Sequence, residues 1–320
     1  MNPRLVHHYN VELAHLRGMA AEFARAFPKI AGRLRLDDLE VADPHVERLL
    51  EGFAFLAARI QLKLDAEFPR LTRNLLQALH PQYLTPIPAM LIVQFEPQPG
   101  EPALMAGATV PRGALLRTTA RRQDMAPCRF ATAHEVTLWP FAMKSVAYAA
   151  HASGLDLEAL SGWRQHAAAV RMTLVADGPS GFRDTPCDSL RLHCRGADEV
   201  AMKLHELIMG HALGIVLRSP DGRCSRLGPQ AIVPVGFDDD QALLQPSRPG
   251  LQAFRLLQEY FAFPQRLLFF DLAGMGAALR QLGGSEVEVI VLLRSSEPSL
   301  ALRVDDSSLA LFCTPAIVST

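Results

Sequence analysis

HPQYLTPIPAMLIVQFE, residues 80–96, is where the chain changes its pattern. Before it, apolar residues recur at three- and four-residue steps, the period of a helix face; after it they come in short β-type runs. Pro81 closes the helical pattern and TPIP, 85–88, supplies two prolines and an extended connector, which puts a boundary near residue 88.

Upstream, Leu5, Tyr9, Leu13, Leu16, Ala20, Phe23 and Phe27 mark one helix that Pro28 ends. A second opens at Asp43-Pro44, where Asp can cap the first turn and Pro at the next position loses no hydrogen bond. Val46, Leu49, Leu50, Phe53, Leu56, Ile60 and Leu64 form its stripe, flanked by the small residues Gly52, Ala54, Ala57 and Ala58. This is the pattern of a packed helix with a close neighbour. A third, short helix is expected over 71–79, after Pro69.

Downstream, strands are expected at 90–96, 136–143, 168–176, 189–195 and 214–219, separated by Gly-, Pro- and Asp-rich turns, with helices near 198–209 and 251–261. EVEVIVLLR at 286–294 alternates and then becomes continuously apolar, which predicts a central place in a sheet. The fold class is α+β: a helical region over 1–88, a β-rich domain over 89–180 and an α+β domain over 181–320.

Composition narrows the function. Lys and Arg number 32 against 33 Asp and Glu, so no global charge draws the chain to nucleic acid or anionic lipid. No apolar run reaches the ~18 residues of a membrane span, and the N-terminus lacks the apolar core of a signal peptide. A cytoplasmic chain is expected. The cysteines at 128, 187, 194, 224 and 313 are odd in number and lack a CxxC pair, so buried, reduced thiols are expected instead of disulfides or a structural zinc site.

Each candidate chemical motif fails a spacing test. His205 and His211 in HELIMGH stand six apart, which on a helix turns them about 240° from each other, not onto one metal-binding face. Gly274-x-Gly276 has Leu279 where a dinucleotide fingerprint needs glycine, and fits the end of a strand and start of a short helix. In GPSGF, 178–182, the second glycine directly follows Ser180, which rules out a nucleophile elbow. Asp238-Asp239-Asp240 lacks the ligand spacing of a calcium loop and reads as a solvated turn. Arg121-Arg122 has no aromatics interleaved. No enzyme, cofactor or metal is expected, and the residues by themselves point to a protein that works through interfaces.

Three stretches carry a resemblance: HYNVELAHLRGMAAEFARAFPKIAGRLRL (8–36), DPHVERLLEGFAFLAARIQLKLDAEFPRLTRNLLQALHPQYLTPIPAMLIVQF (43–95) and EYFAFPQRLLFFDL (259–272). In order and spacing they resemble the TssF family, also called ImpG or VasA, of type VI secretion baseplate subunits. Family members continue past a segment similar to the closing LFCTPAIVST, so the chain reads as an N-terminal portion. The resemblance implies a phage-tail-like wedge component without catalysis, on the cytoplasmic side of an apparatus docked at the inner membrane. The implied partners are TssG, TssK, TssE, the VgrG spike, further TssF copies, and sheath and tube components. A protein-binding adaptor outside secretion, or an enzyme with an unfamiliar site, is the alternative.

Interface residues are expected in two places. Phe53, Phe55 and Phe68 give the helical region more apolar surface than its helices can cover among themselves. In EYFAFPQRLLFFDL, Pro264 ends a helix and 267–272 reads as a strand apolar on both faces, so Leu268 and Phe270 are expected in the core. The corner at Phe261, Phe263 and Arg266 is expected to reach a partner.

Overall fold

The computed structural model describes residues 2–34, 43–79, 81–119, 127–151, 166–178, 181–244 and 252–319. Its contacts divide the chain into two units, Met1–Pro86 and Ile87–Thr320.

The first unit is helical. In α1 (Pro3–Ala26), the Asn2 side chain accepts from the Arg4 amide; the helix stops at Phe27, and Pro28 opens α2 (Pro28–Leu34). The long α3 (Pro44–Leu79) starts as expected, with Asp43 accepting from the His45 amide at 2.9 Å. It does not break at Pro69, contrary to the expected separate helix over 71–79. Proline removes one N–H and leaves the carbonyl four residues back without its donor. Residues 63–70 are all exposed, so water can serve that carbonyl and the helix runs through.

α1 and α3 lie antiparallel, with Arg17 2.8 Å from Glu47 and His8 2.8 Å from Asp65. Ala54 and Ala58 are the buried residues of α3, which lets the two backbones come close.

The second unit is built on antiparallel sheets. Its strands are β1 (Met90–Gln94), β2 (Ala108–Val110), β3 (Leu115–Arg117), β4 (Arg129–Thr132), β5 (Val136–Leu138), β6 (Phe141–Ala149) and β7 (Ala168–Ala176). Then come β8 (Ser189–Cys194), β9 (Ala212–Arg218), β10 (Cys224–Leu227), β11 (Ile232–Val235), β12 (Phe269–Ala273), β13 (Glu286–Leu293), β14 (Leu309–Leu311) and β15 (Cys313–Val318). Among them lie α4 (Asp198–His211), α5 (Gln252–Ala262) and α6 (Gly276–Leu282).

The largest sheet has the order β10-β9-β13-β7-β6, which puts β13 in the middle, as its continuous apolar run predicts. Val287, Val289, Val291 and Leu293 face the main core; Glu288, Ile290 and Leu292 face the other side, where Glu288 accepts from Arg171 and Arg218. A second sheet, β11-β12-β8-β14, joins that core through Leu190, Leu192, Phe270 and Leu272, together with α4 and α6. The third sheet, β1-β15-β4-β3, pairs the unit's first and last strands, and β2 and β5 form a small ribbon.

Two local features position the corner at 259–272. Pro264–Leu267 is a 3-10 turn, so the strand begins at Phe269 and not at 267. After β12, Gly274 adopts φ +73 and Gly276 begins α6, the strand-to-helix turn that Gly274-x-Gly276 implied.

Candidate interface surfaces

Large apolar side chains of α3 point outward. Leu49, Phe53, Leu56, Ile60, Leu64, Phe68, Leu71, Leu75 and Leu79 recur every three or four residues, all of them exposed, Phe53 at 61% and Phe68 at 68%. From Leu49 to Leu79 the stripe runs ~45 Å at 1.5 Å per residue. Phe55 is exposed on a neighbouring line at 39%. The helix has the close neighbour its small residues implied, with Ala54 and Ala58 on the packed side, and the leucines and phenylalanines of the stripe face outward. Close α1–α3 approach favours the smallest side chains at the contact, and among the described residues of this unit no phenylalanine is buried. Fully burying one Leu or Phe contributes about 1.5–3 kcal/mol, so the stripe holds a large unspent driving force for association.

The second predicted surface divides. Phe261 is 79% exposed at the end of α5, with Leu257 and Tyr260 also outward, and Phe263 is half-buried. Arg266, expected to reach a partner, is only 1% exposed. It pairs with Glu259, itself 0% exposed, and donates to the carbonyl of Gln241 at 3.1 Å. The other Glu259 oxygen accepts from the amides of Leu243 and Leu244 at 3.1 and 2.9 Å. Arg255, also buried, reaches Asp239 at 2.9 Å. A guanidinium this deep needs a carboxylate partner, and Glu259 supplies it across the Pro264 turn. Leu268 and Phe270 are in the core, as expected.

The chemistry available elsewhere is limited. A cavity of about 540 Å³ is lined mainly by Phe95, Leu104, Trp139, Phe141, Leu311 and Phe312. A second, of about 460 Å³, holds His134, Arg191 and Asp271. There burial pushes the His134 pKa down to about 4, so the ring is neutral at pH 7, and its Nε2–H is donated to the Gln241 carbonyl at 2.9 Å. Arg191 satisfies Asp271 with two hydrogen bonds of 2.8 and 2.9 Å. His134, Arg191 and Asp271 are thus each engaged with a neighbour.

Among the described residues, no group of three or more His, Cys, Asp or Glu could hold a metal ion. His205 packs near Phe270, at 6.4 Å between rings, and burial lowers its pKa. Cys187, Cys194 and Cys313 are buried, and burial raises their pKa values, Cys187 and Cys313 to about 12, which leaves inert thiols. Arg121-Arg122 and Ser180 lie outside the described residues. No helix among the described residues is long and apolar enough to cross a membrane.

The family described as "Type VI secretion system, TssF" matches residues 1–317. The chain belongs to the TssF family. It is 45% identical, over 318 residues, to "Type VI secretion system component TssF1" of Pseudomonas aeruginosa, a match covering 99% of this chain and 51% of that protein. The chain thus spans about half the length of the TssF relative it matches. Among solved structures, it is similar to a chain of the "type VI secretion system TssK-TssF-TssG baseplate subcomplex", with TM-score 0.63 and 26% identity over 84% of this chain and 48% of that one. A chain of "the baseplate complex from the type VI secretion system" aligns over 98% of this chain and 51% of its own length at 24% identity; its TM-score of 0.42 is too low to build on.

Glu259 and Arg255 were missed by sequence reasoning, although they fix the α5 corner. The available signal was their spacing: four residues apart on one helix, they share the face that Leu257 and Phe261 do not occupy.

Proposed function

We propose that this chain forms part of a non-enzymatic wedge subunit of a type VI secretion baseplate, acting in the cytoplasm through large surfaces that bind TssG and TssK. The observation that carries the proposal is the exposed stripe of α3, nine large apolar residues on one element. Monomeric proteins rarely expose so long an apolar surface, and its steps of three and four suit a helical partner. Family membership supports the same reading, as does the solved subcomplex whose name joins TssF to TssK and TssG.

In this reading, helices of TssG or of a second TssF copy cover the stripe. Contacts to TssE and the VgrG spike, and the templating of tube and sheath, follow from the family resemblance. The mechanism is mechanical: wedges hold the spike and change arrangement when firing begins.

The test is co-expression with TssG and TssK, with and without Leu56→Glu combined with Ile60→Glu. Both positions are solvent-exposed, so the double variant should keep its helical circular dichroism yet lose co-purification with TssG. A folded unaltered chain that binds neither TssG nor TssK would sink the proposal.

A further inference from the structure

α5 is turned inside out. A surface helix ordinarily sends its charges to water and its apolar residues to the core. Here Arg255 and Glu259 point inward, and Leu257, Tyr260 and Phe261 point outward, as does Phe254. The inward charges are matched to Asp239, Arg266 and the amides of Leu243 and Leu244. Rolling the helix to bury its aromatics would pull Glu259 away from these partners and leave a buried charge unpaired. The ion network thus holds the apolar face outward.

The margin of that face is acidic. The loop gripped by Arg255 and Arg266 carries Asp238, Asp239 and Asp240, all exposed, and Phe237, which is 47% exposed. On the solvent side, the cation tied to this loop is Arg112, which donates to the carbonyls of Asp240 and Ala242. Arg255 matches Asp239, and Asp238 and Asp240 together outnumber the one guanidinium of Arg112, which leaves the margin negative.

We propose that the outward face of α5, with Phe237 and residues 238–240, is a docking surface for another protein that presents an apolar centre and a margin of Lys or Arg. The proposal rests on the baseplate reading, since it takes that protein to be a fellow subunit. Charge selects the occupant. An anionic lipid surface would be repelled by Asp238 and Asp240, and a second copy would bring the same acidic margin against itself. Eleven helical residues span ~16 Å, well short of the ~800 Å² per partner of a free-standing interface, so the face acts as one contact within a larger assembly.

The experiment compares the full chain with two double variants, Leu257→Ser with Phe261→Ser and Asp238→Lys with Asp240→Lys, by interferometry against purified TssG and TssK, with thermal unfolding in parallel. The first variant should weaken binding to one subunit about tenfold or more while keeping its unfolding midpoint. The second should slow association at low salt, the difference closing as salt is raised.

Unchanged binding by both variants, beside normal binding by the unaltered chain, overturns this surface and leaves the baseplate reading standing. A lower unfolding midpoint with unchanged affinity assigns the face to the chain's own packing and also overturns it. So does self-association in sedimentation that the serine variant abolishes, or binding to phosphatidylglycerol vesicles that it abolishes. If the unaltered chain binds neither subunit, the baseplate reading falls and this surface with it.

Discussion

The unit Met1–Pro86 hides alanines and shows leucines, whereas the unit from Ile87 hides valines, phenylalanines and even an arginine. In the helical unit, Ala31, Ala54 and Ala58 are the buried residues among those described. The second unit encloses Phe182, Phe269, Phe270 and the aliphatic rows of β7, β9 and β13 on its own. The difference teaches where stability resides. One unit folds around a core it owns; the other has helices whose large side chains still lack a core.

Three measurements sharpen this contrast. The largest effect belongs to the buried ion pair: Arg266→Ala should cost about 3–5 kcal/mol in urea unfolding, because it leaves Glu259 charged and enclosed. Glu259→Leu combined with Arg266→Met should recover part of that loss, since the pair is removed together and Arg255 keeps Asp239, while the amides of Leu243 and Leu244 lose their acceptor. A double variant as unstable as the single would show that the pair itself, not the stranded charge, supplies the stability.

Acid acts next, again on the second unit. Burial lowers His134 and His193 to about 4, below the ordinary 6.5 of the unfolded chain. Both rings are neutral in both states above about pH 6.5; between there and pH 4 the unfolded chain takes up protons that the folded one refuses. Each histidine therefore removes about 3 kcal/mol by pH 4, at 1.36 kcal/mol per pKa unit. Replacing His193 with Gln should flatten the decline in unfolding free energy over that window; an unchanged slope would mean the ring is accessible to protons when folded.

The smallest effect tests the helical unit. Ala58→Leu puts a large side chain into the α1–α3 contact and should cost about 1–3 kcal/mol by overpacking. Phe53→Ala, on the exposed stripe, should shift the isolated chain by no more than about 0.5 kcal/mol. The reverse ranking would place the phenylalanine stripe inside the unit.

What could be read from the residues follows the same division. β13 was legible because EVEVIVLLR is long and apolar enough to admit one reading, and α4 because its flanks are clear. β14 and β15 were not: LALFCTPAIV looks like a single run, but Phe312 at φ 57 turns the chain from one sheet into another. β3 and β14 are three residues each, too short for a period. Strands before and after residue 180 are woven into the same sheets, β7 with β13 and β1 with β15, and no local pattern records such pairing. On α3 the apolar period was plain, but the choice of which face packs was made by the small residues. Arg266 was misplaced because an arginine in a turn is ordinarily solvated, and its partner Glu259 lies on the other side of a proline.

The pairing of β1 with β15 also sets a timetable. Met90–Gln94 leaves the ribosome about 220 residues before its partner Cys313–Val318 is made. At about 5–20 residues per second the wait is of order tens of seconds, during which the edge of β1 has no mate. The helices before it find their partners within the first 86 residues and are finished long before then, their apolar stripe already exposed. A protein that binds the stripe, as proposed above, meets it before the sheet is closed.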